Sequence, residues 1–216
     1  MFRFALFGIP ILVDWWFWLS CVLLGGGAYA KNPNDWMRVA LWTAVVFVSI
    51  IIHELGHALA GRRFGIRPVI KLHGLGGVTY LPGQNLTRAR SVAVTAAGPL
   101  ASVALGLLVL LLDRIIESRG YWTDAALRYA LRINFVWTAL NLLPIQPLDG
   151  GQILRELLGP RRAQVTAWTS AVLASILCVW SIAVGQYFWA VMLALLAYYN
   201  FRQEHIEGGV VKEGGP

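Results

Sequence analysis

The chain has 216 residues, a length that suits one domain; 57% are hydrophobic and 13% charged, against about 45–50% and about 25% in soluble proteins. That balance excludes an ordinary soluble domain and indicates an integral membrane protein. The net charge of +7 does not indicate a nucleic-acid partner. The basic residues sit in connections or at the ends of apolar runs, as at membrane boundaries, without the aromatic interleaving of a nucleic-acid surface.

In chain order, the N-terminal FRFALFGIPILVD alternates strand formers around Gly8 and Pro10 and reads as a short β-hairpin. It is not expected to be a signal peptide, because Pro10 and Asp14 interrupt the apolar core and no small-x-small cleavage site follows. Apolar runs follow at about 15–30 and 36–64, the first of them short and aromatic-rich. Residues 66–81 alternate again, with Gly74, Gly76 and Gly77 as turn material, giving a second hairpin. Bare strand edges cannot sit in lipid, so the two hairpins are expected to pair at a membrane surface. Further apolar runs span 91–112, 123–143, 165–184 and 187–201, the last two separated only by Gly185 and Gln186 as a tight helical hairpin. The expected fold is an all-α polytopic membrane protein of about six transmembrane helices with small membrane-associated β-hairpins. Residues 1–207 form a single domain, and 208–216 a disordered tail.

Threading six spans puts Arg3, Arg62, Arg63, Arg67, Lys71, Arg88, Arg90, Arg155, Arg161, Arg162, Arg202 and Lys212 on one side, twelve of the 18 lysines and arginines. Lys31, Arg38, Arg114, Arg119, Arg128 and Arg132 fall on the other, the remaining six. The excess predicts cytoplasmic termini, with the C-terminal end of the second helix on the cytoplasmic side. The two cysteines, Cys21 and Cys178, lie in separate apolar runs and are read as packing residues.

The chemistry sits in SIIHELGHALAGRRFGI, near the end of the second apolar run. Ionisable groups in hydrocarbon cost about 2.5–3.5 kcal/mol each even on the lenient insertion scale, so His53, Glu54 and His57 mark a functional site. HELGH fits H-E-x-x-H: on a helix, residues four apart share a face, so both imidazoles can hold one metal ion while Glu54 serves as base. That division suits zinc hydrolysis, in which an open metal position takes water and brings its pKa towards about 7. Gly56 and Gly61 are expected to let another backbone approach. His73, in the hairpin, and His205, in the tail, read as surface histidines.

A third ligand is sought in NLLPIQPLDGGQIL, where Pro144 and Pro147 break the fourth helix and Gly150 and Gly151 allow a sharp turn. Asp149 sits in that break. Read alone, it is either a ligand or the N-cap of a helix over 152–158.

H-E-x-x-H in an apolar helix, followed about 90 residues later by N-x-x-P-x-x-x-L-D-G-G, resembles the site-2 protease family of intramembrane zinc metalloproteases. AAGPL (96–100) is similar to that family's small-small-Gly-Pro element, and GLGGV (74–78) to its Gly-rich membrane hairpin. FGIPILVDWWFWL is similar to its N-terminal stretch, so the resemblance runs from about 7 to 201. Leu142 departs from it, standing where many relatives have proline.

The resemblance implies His53, His57 and Asp149 as ligands of one Zn2+ per chain, Glu54 as general base and Asn141 as a substrate- or oxyanion-facing amide. It implies a minimal form without a PDZ or other appended domain, multi-pass in a bacterial or archaeal cell membrane, with the site opening to the cytoplasm. The implied substrates are single-span membrane proteins such as membrane-tethered transcription regulators or anti-sigma factors, cut in regulated intramembrane proteolysis. Two rival readings carry the same residues. An intramembrane metal transporter would normally show internal repeats, and none is visible; a catalytically inactive client-binding scaffold would have lost a ligand or Glu54, and all are present.

Overall fold

Phe7 and Gly8 have φ values of 52° and 74°, the paired left-handed conformations of a two-residue turn whose twist matches that of flanking strands. They join β1 (Phe2–Leu6) to β2 (Ile9–Val13). The computed structural model describes residues 1–83, 86–116 and 120–213, with side chains to 202, and the chain divides into two units, Met1–Ala139 and Leu140–Pro216. The expected tail falls largely on side chains, and at 214–216 on backbone, outside the described residues; the His205 side chain lies outside them too.

In the first unit the second hairpin is β3 (Val69–His73) and β4 (Gly76–Tyr80). The hairpins join as one four-stranded sheet in the order β1-β2-β3-β4, β2 and β3 running parallel. Pro10 belongs to β2, opposite Ala5, rather than to the turn. Pairing with β3 begins one residue later, at Ile11, so the missing Pro10 N–H leaves no ladder gap. Period-2 alternation buries Ile9, Ile11 and Val13 of β2 and Ile70 and Leu72 of β3 in one cluster with Phe17, Cys21, Ile50, Ile51, Leu55 and Ala58. The sheet is thereby fastened to two helices, α1 (Trp15–Leu24) and α2 (Pro33–Arg63).

The first apolar run yields only the ten residues of α1, about 15 Å of helix, half of what a bilayer core needs. Its three consecutive glycines, Gly25 to Gly27, end the helix, and a short 3-10 turn (Gly27–Tyr29) follows. Helix α2 is long because its ends are well specified. The Asn32 side chain accepts from the Asp35 N–H at 3.0 Å, Pro33 fills the first turn, and Arg62 and Arg63 face the negative end of the dipole. At its C-terminus Gly65 (φ 82°) donates to Arg62 O and Ile66 to Gly61 O, a Schellman close. Helix α3 (Arg88–Ile115) packs along α2, and α4 (Tyr121–Arg132) packs on both. A π-helical segment, Ile133–Trp137, continues α4 and turns the buried Asn134 amide onto Ser49 Oγ of α2 at 3.0 Å. A last short helix, α5 (Thr138–Asn141), ends three residues before Pro144.

In the second unit, α6 (Asp149–Leu158) packs on α7 (Ala163–Ala183), and α7 on α8 (Tyr187–Glu213). The α7–α8 connection is as short as predicted, closed by Gln186 N–H to Ser181 O at 2.7 Å. Among the described residues, three helical stretches are long and apolar enough to cross a membrane: Pro33–Arg63, Arg88–Ile115 and Pro160–Ala183. Leu100, Leu107, Leu108 and Leu111 of α3 are each more than half exposed, an outward apolar face that only lipid suits. The chain is an integral membrane protein.

Candidate metal centre

His53, Glu54 and His57 all lie inside α2 and are 5%, 5% and 7% exposed. One helical turn brings the two imidazoles together, ring centroids 4.9 Å apart and planes nearly perpendicular. Their Nε2 atoms face each other at 3.2 Å. Each ring is fixed by its other nitrogen: His57 Nδ1 meets the Val94 carbonyl at 2.9 Å, and His53 Nδ1 meets Ser102 Oγ at 3.0 Å. A carbonyl only accepts, so the Val94 contact places the hydrogen on His57 Nδ1 and a lone pair on its Nε2. Anchoring of this kind, one ring nitrogen held by the protein and the other presented, is the usual arrangement around a metal.

The partners on α3 follow one stripe. Val94, Gly98 and Ser102 are four residues apart, so they share the face turned to α2. Gly98 is glycine for a steric reason: a Cβ there would overlap His57 Nε2. Gly56 of α2 lies against the Ala97 backbone, as expected of a close helix crossing, whereas Gly61 faces the Leu81 side chain and no backbone. A third wall is β4. Thr79 donates its hydroxyl to Glu54 Oε2 at 2.6 Å, and Gly77 passes beside the same carboxylate.

The two Nε2 atoms, 3.2 Å apart, can share either one hydrogen or one cation, since Ser102 Oγ can donate to or accept from His53 Nδ1. The separation is close to the edge of a tetrahedron with arms of about 2.0–2.1 Å, which is about 3.3–3.4 Å. The residues of α2 therefore fit a zinc ion, with nitrogen donors of the borderline-soft kind it prefers.

Asn141 and Asp149 belong to the second unit. Asn141 is the last residue of α5, half-buried; Asp149 is the first residue of α6 and is buried. The helix begins at Asp149 itself and its cap position is taken by Leu148, so Asp149 stands in the first turn rather than at the N-cap. The turn before it is compact: a Cβ on Gly150 would overlap the Leu142 carbonyl, and one on Gly151 the backbone of Ile145 and Gln146. Ser170 of α7 accepts from Gln146 N–H at 3.0 Å, and Asn200 of α8 donates to Gln146 O at 2.7 Å. Both bracing residues are fully buried. They supply the partners that irregular backbone in an apolar setting needs. His73 is half-buried and accepts from the Leu75 N–H at Nδ1, 3.2 Å; Cys21 and Cys178 are free thiols.

Sequence reasoning missed Val94, Ser102, Thr79, Ser170 and Asn200. The spacing of four from Val94 through Gly98 to Ser102 could have found the first two. Nothing in the sequence distinguishes Thr79 from any other strand threonine.

Residues 41–121 and 115–183 match Peptidase family M50. The chain is 28% identical over 210 residues to a zinc metalloprotease of Methanocaldococcus jannaschii, covering 93% of this chain and 59% of that protein. It is 29% identical over 168 residues to the stage IV sporulation protein FB of Bacillus subtilis, covering 72% of this chain and 57% of that protein. The chain thus spans a little over half the length of these curated relatives. Among solved structures, it is similar to a site-2 protease from Methanocaldococcus jannaschii, with a TM-score of 0.67, 25% identity and 94% of each chain covered.

Proposed function

The chain belongs to peptidase family M50, the site-2 proteases, and on that premise we propose that it is a zinc-dependent endopeptidase of the membrane. Its substrates are single-span membrane proteins, cut within or near their transmembrane segments. The observation that carries this reading is the pair of anchored imidazoles whose Nε2 atoms face each other at 3.2 Å, on the same buried stretch of an apolar helix as Glu54. His53 and His57 hold the metal from α2. Asp149 is the third ligand, assigned from its motif and from the carboxylate chemistry zinc accepts. Zinc, when bound, supplies Lewis-acid polarisation of the scissile carbonyl and of the attacking water.

Every other task falls to the chain. Glu54 takes the proton of the attacking water as the C–O bond forms and returns it to the amine as the C–N bond breaks. Asn141 donates its amide N–H to the oxygen on which negative charge develops. A transmembrane helix hides its carbonyls in its own hydrogen bonds, so the substrate must unwind locally. The outer edge of β4, an edge strand, offers backbone partners to the extended stretch without reading side chains. The basic residues that follow the C-terminal end of α2, Arg62, Arg63 and Arg67, put the water entry on the cytoplasmic side.

The test uses detergent-purified protein and a single-span reporter substrate. Cleavage is expected, abolished by a zinc chelator and restored by added zinc. The Glu54→Gln variant should keep about one zinc per chain and lose at least about 10²–10⁴-fold in rate. Cleavage by that variant at the wild-type rate would refute the assignment of Glu54, and chelator-resistant cleavage would refute the metal mechanism.

A further inference from the structure

The β4 strand touches Glu54 on both carboxylate oxygens. At Gly77 a Cβ would come within 2.5 Å of Oε1, so the strand backbone itself lies against that oxygen. Two residues on, and therefore on the same side of the strand, Thr79 Oγ1 stands 2.6 Å from Oε2 and 3.1 Å from the Glu54 backbone carbonyl. A threonine hydroxyl has one proton to give, and the nearer acceptor, Oε2, takes it. Glu54 sits on α2 next to His53, but what fixes the end of its side chain comes from a different element.

We propose that Thr79 is a positioning residue for the general base, holding the Glu54 carboxylate against the Gly77 backbone so that its orientation is set by β4. The inference rests on the reading of Glu54 as base. A glutamate has three rotatable bonds, and a base that samples several orientations loses rate without losing its chemistry. The tether also puts the base and the edge proposed to receive substrate on one strand, so that any shift of β4 on substrate pairing moves both together.

Thr79→Val keeps the branched shape and removes the donor; Thr79→Ser keeps the donor and removes the branch. Each is purified with its zinc and assayed for kcat and KM on the single-span reporter, and for zinc affinity by chelator competition. Thr79→Val is expected to lose about 10–100-fold in kcat, with KM and zinc affinity within about twofold of wild type, and Thr79→Ser to recover most of the loss. A role in packing alone predicts the reverse order, Val intact and Ser impaired. An active wild type with Thr79→Val at equal kcat, or with Thr79→Ser no better than Thr79→Val, overturns the inference while leaving the protease reading in place. A parallel fall in zinc affinity would also overturn it, by showing that the metal ligands moved. A wild type with no cleavage overturns the protease reading and this role with it.

Discussion

Adding one methyl group at Gly98 separates the stability of the fold from the integrity of the site. Gly98 lies inside α3, where alanine is favoured over glycine by about 1 kcal/mol of helix propensity. On that ground alone Gly98→Ala should stabilise the protein. The new Cβ, however, would overlap the His57 Nε2 atom well inside ordinary van der Waals contact, and two further ring atoms with it. His57 cannot simply rotate away, because its Nδ1 is held at 2.9 Å by the Val94 carbonyl, one turn earlier on the same helix face. The ring must tilt, carrying Nε2 off the point it shares with His53. Misplacement of about 1 Å at a reacting centre costs on the order of 10²-fold in rate. Zinc affinity should fall by at least the about 10–100-fold seen when a ligand loses its orienting partner. The assay is zinc content by mass spectrometry after dialysis against a graded chelator series, alongside the melting temperature of the metal-free protein. The expected result is a folded metal-free protein, its propensity gain of about 1 kcal/mol set against about 1–3 kcal/mol of overpacking, that no longer keeps its zinc. A Gly98→Ala protein that retains one zinc per chain through the same series as wild type would refute the reasoning, since the His57 Nε2 atom could not then be the ligand at this site.

Three other outcomes follow from the same observations. Asp149→Asn keeps the size of the side chain but is a poorer zinc ligand, so it should lose zinc and cleavage; full zinc content in this variant would remove Asp149 from the ligand set. The His73 pKa is pushed below its ordinary value by burial first and by Lys71 second, with Asp14 acting in the opposite sense. The folded state therefore binds that proton less well than the unfolded chain, and stability should fall as pH drops below about 6.5. His73→Gln should lose this component, and a melting-temperature profile parallel to wild type between about pH 7.5 and 5.5 would count against it. Single cysteines placed at Arg161 or Gln164 should react with membrane-impermeant thiol reagents only from the cytoplasmic side, and one at Tyr121 from the opposite side; labelling of the first two from outside intact cells would invert the topology.

What could be read from the sequence is set by contrast. His53, Glu54 and His57 stand out because charge in an apolar run is costly, and the structure brings them together on α2. The hairpins were legible because glycine turns and β-branched residues alternate, but nothing local could specify that β2 pairs with β3 in parallel. That pairing is fixed by the burial of Ile11 beside Ile70 and of Val13 beside Leu72, a tertiary event. The helix of the first run is shorter than its apolar composition suggests, because that composition continues past the three glycines that stop the helix at Leu24. The π segment at Ile133–Trp137 left no trace, since an extra residue in a helical turn changes spacing by less than sequence periodicity can resolve. Most telling are the hydroxyls. Ser102 and Thr79 sit in stretches where a serine or threonine is unremarkable, because either can bond back to its own helix or fit a strand at no cost. They become visible only when α3 and β4 are laid against α2, one reaching His53 and the other Glu54. The groups proposed to do the chemistry are betrayed by their expense in lipid, and the hydroxyls that touch them are cheap everywhere, so only the assembled packing distinguishes those from their neighbours.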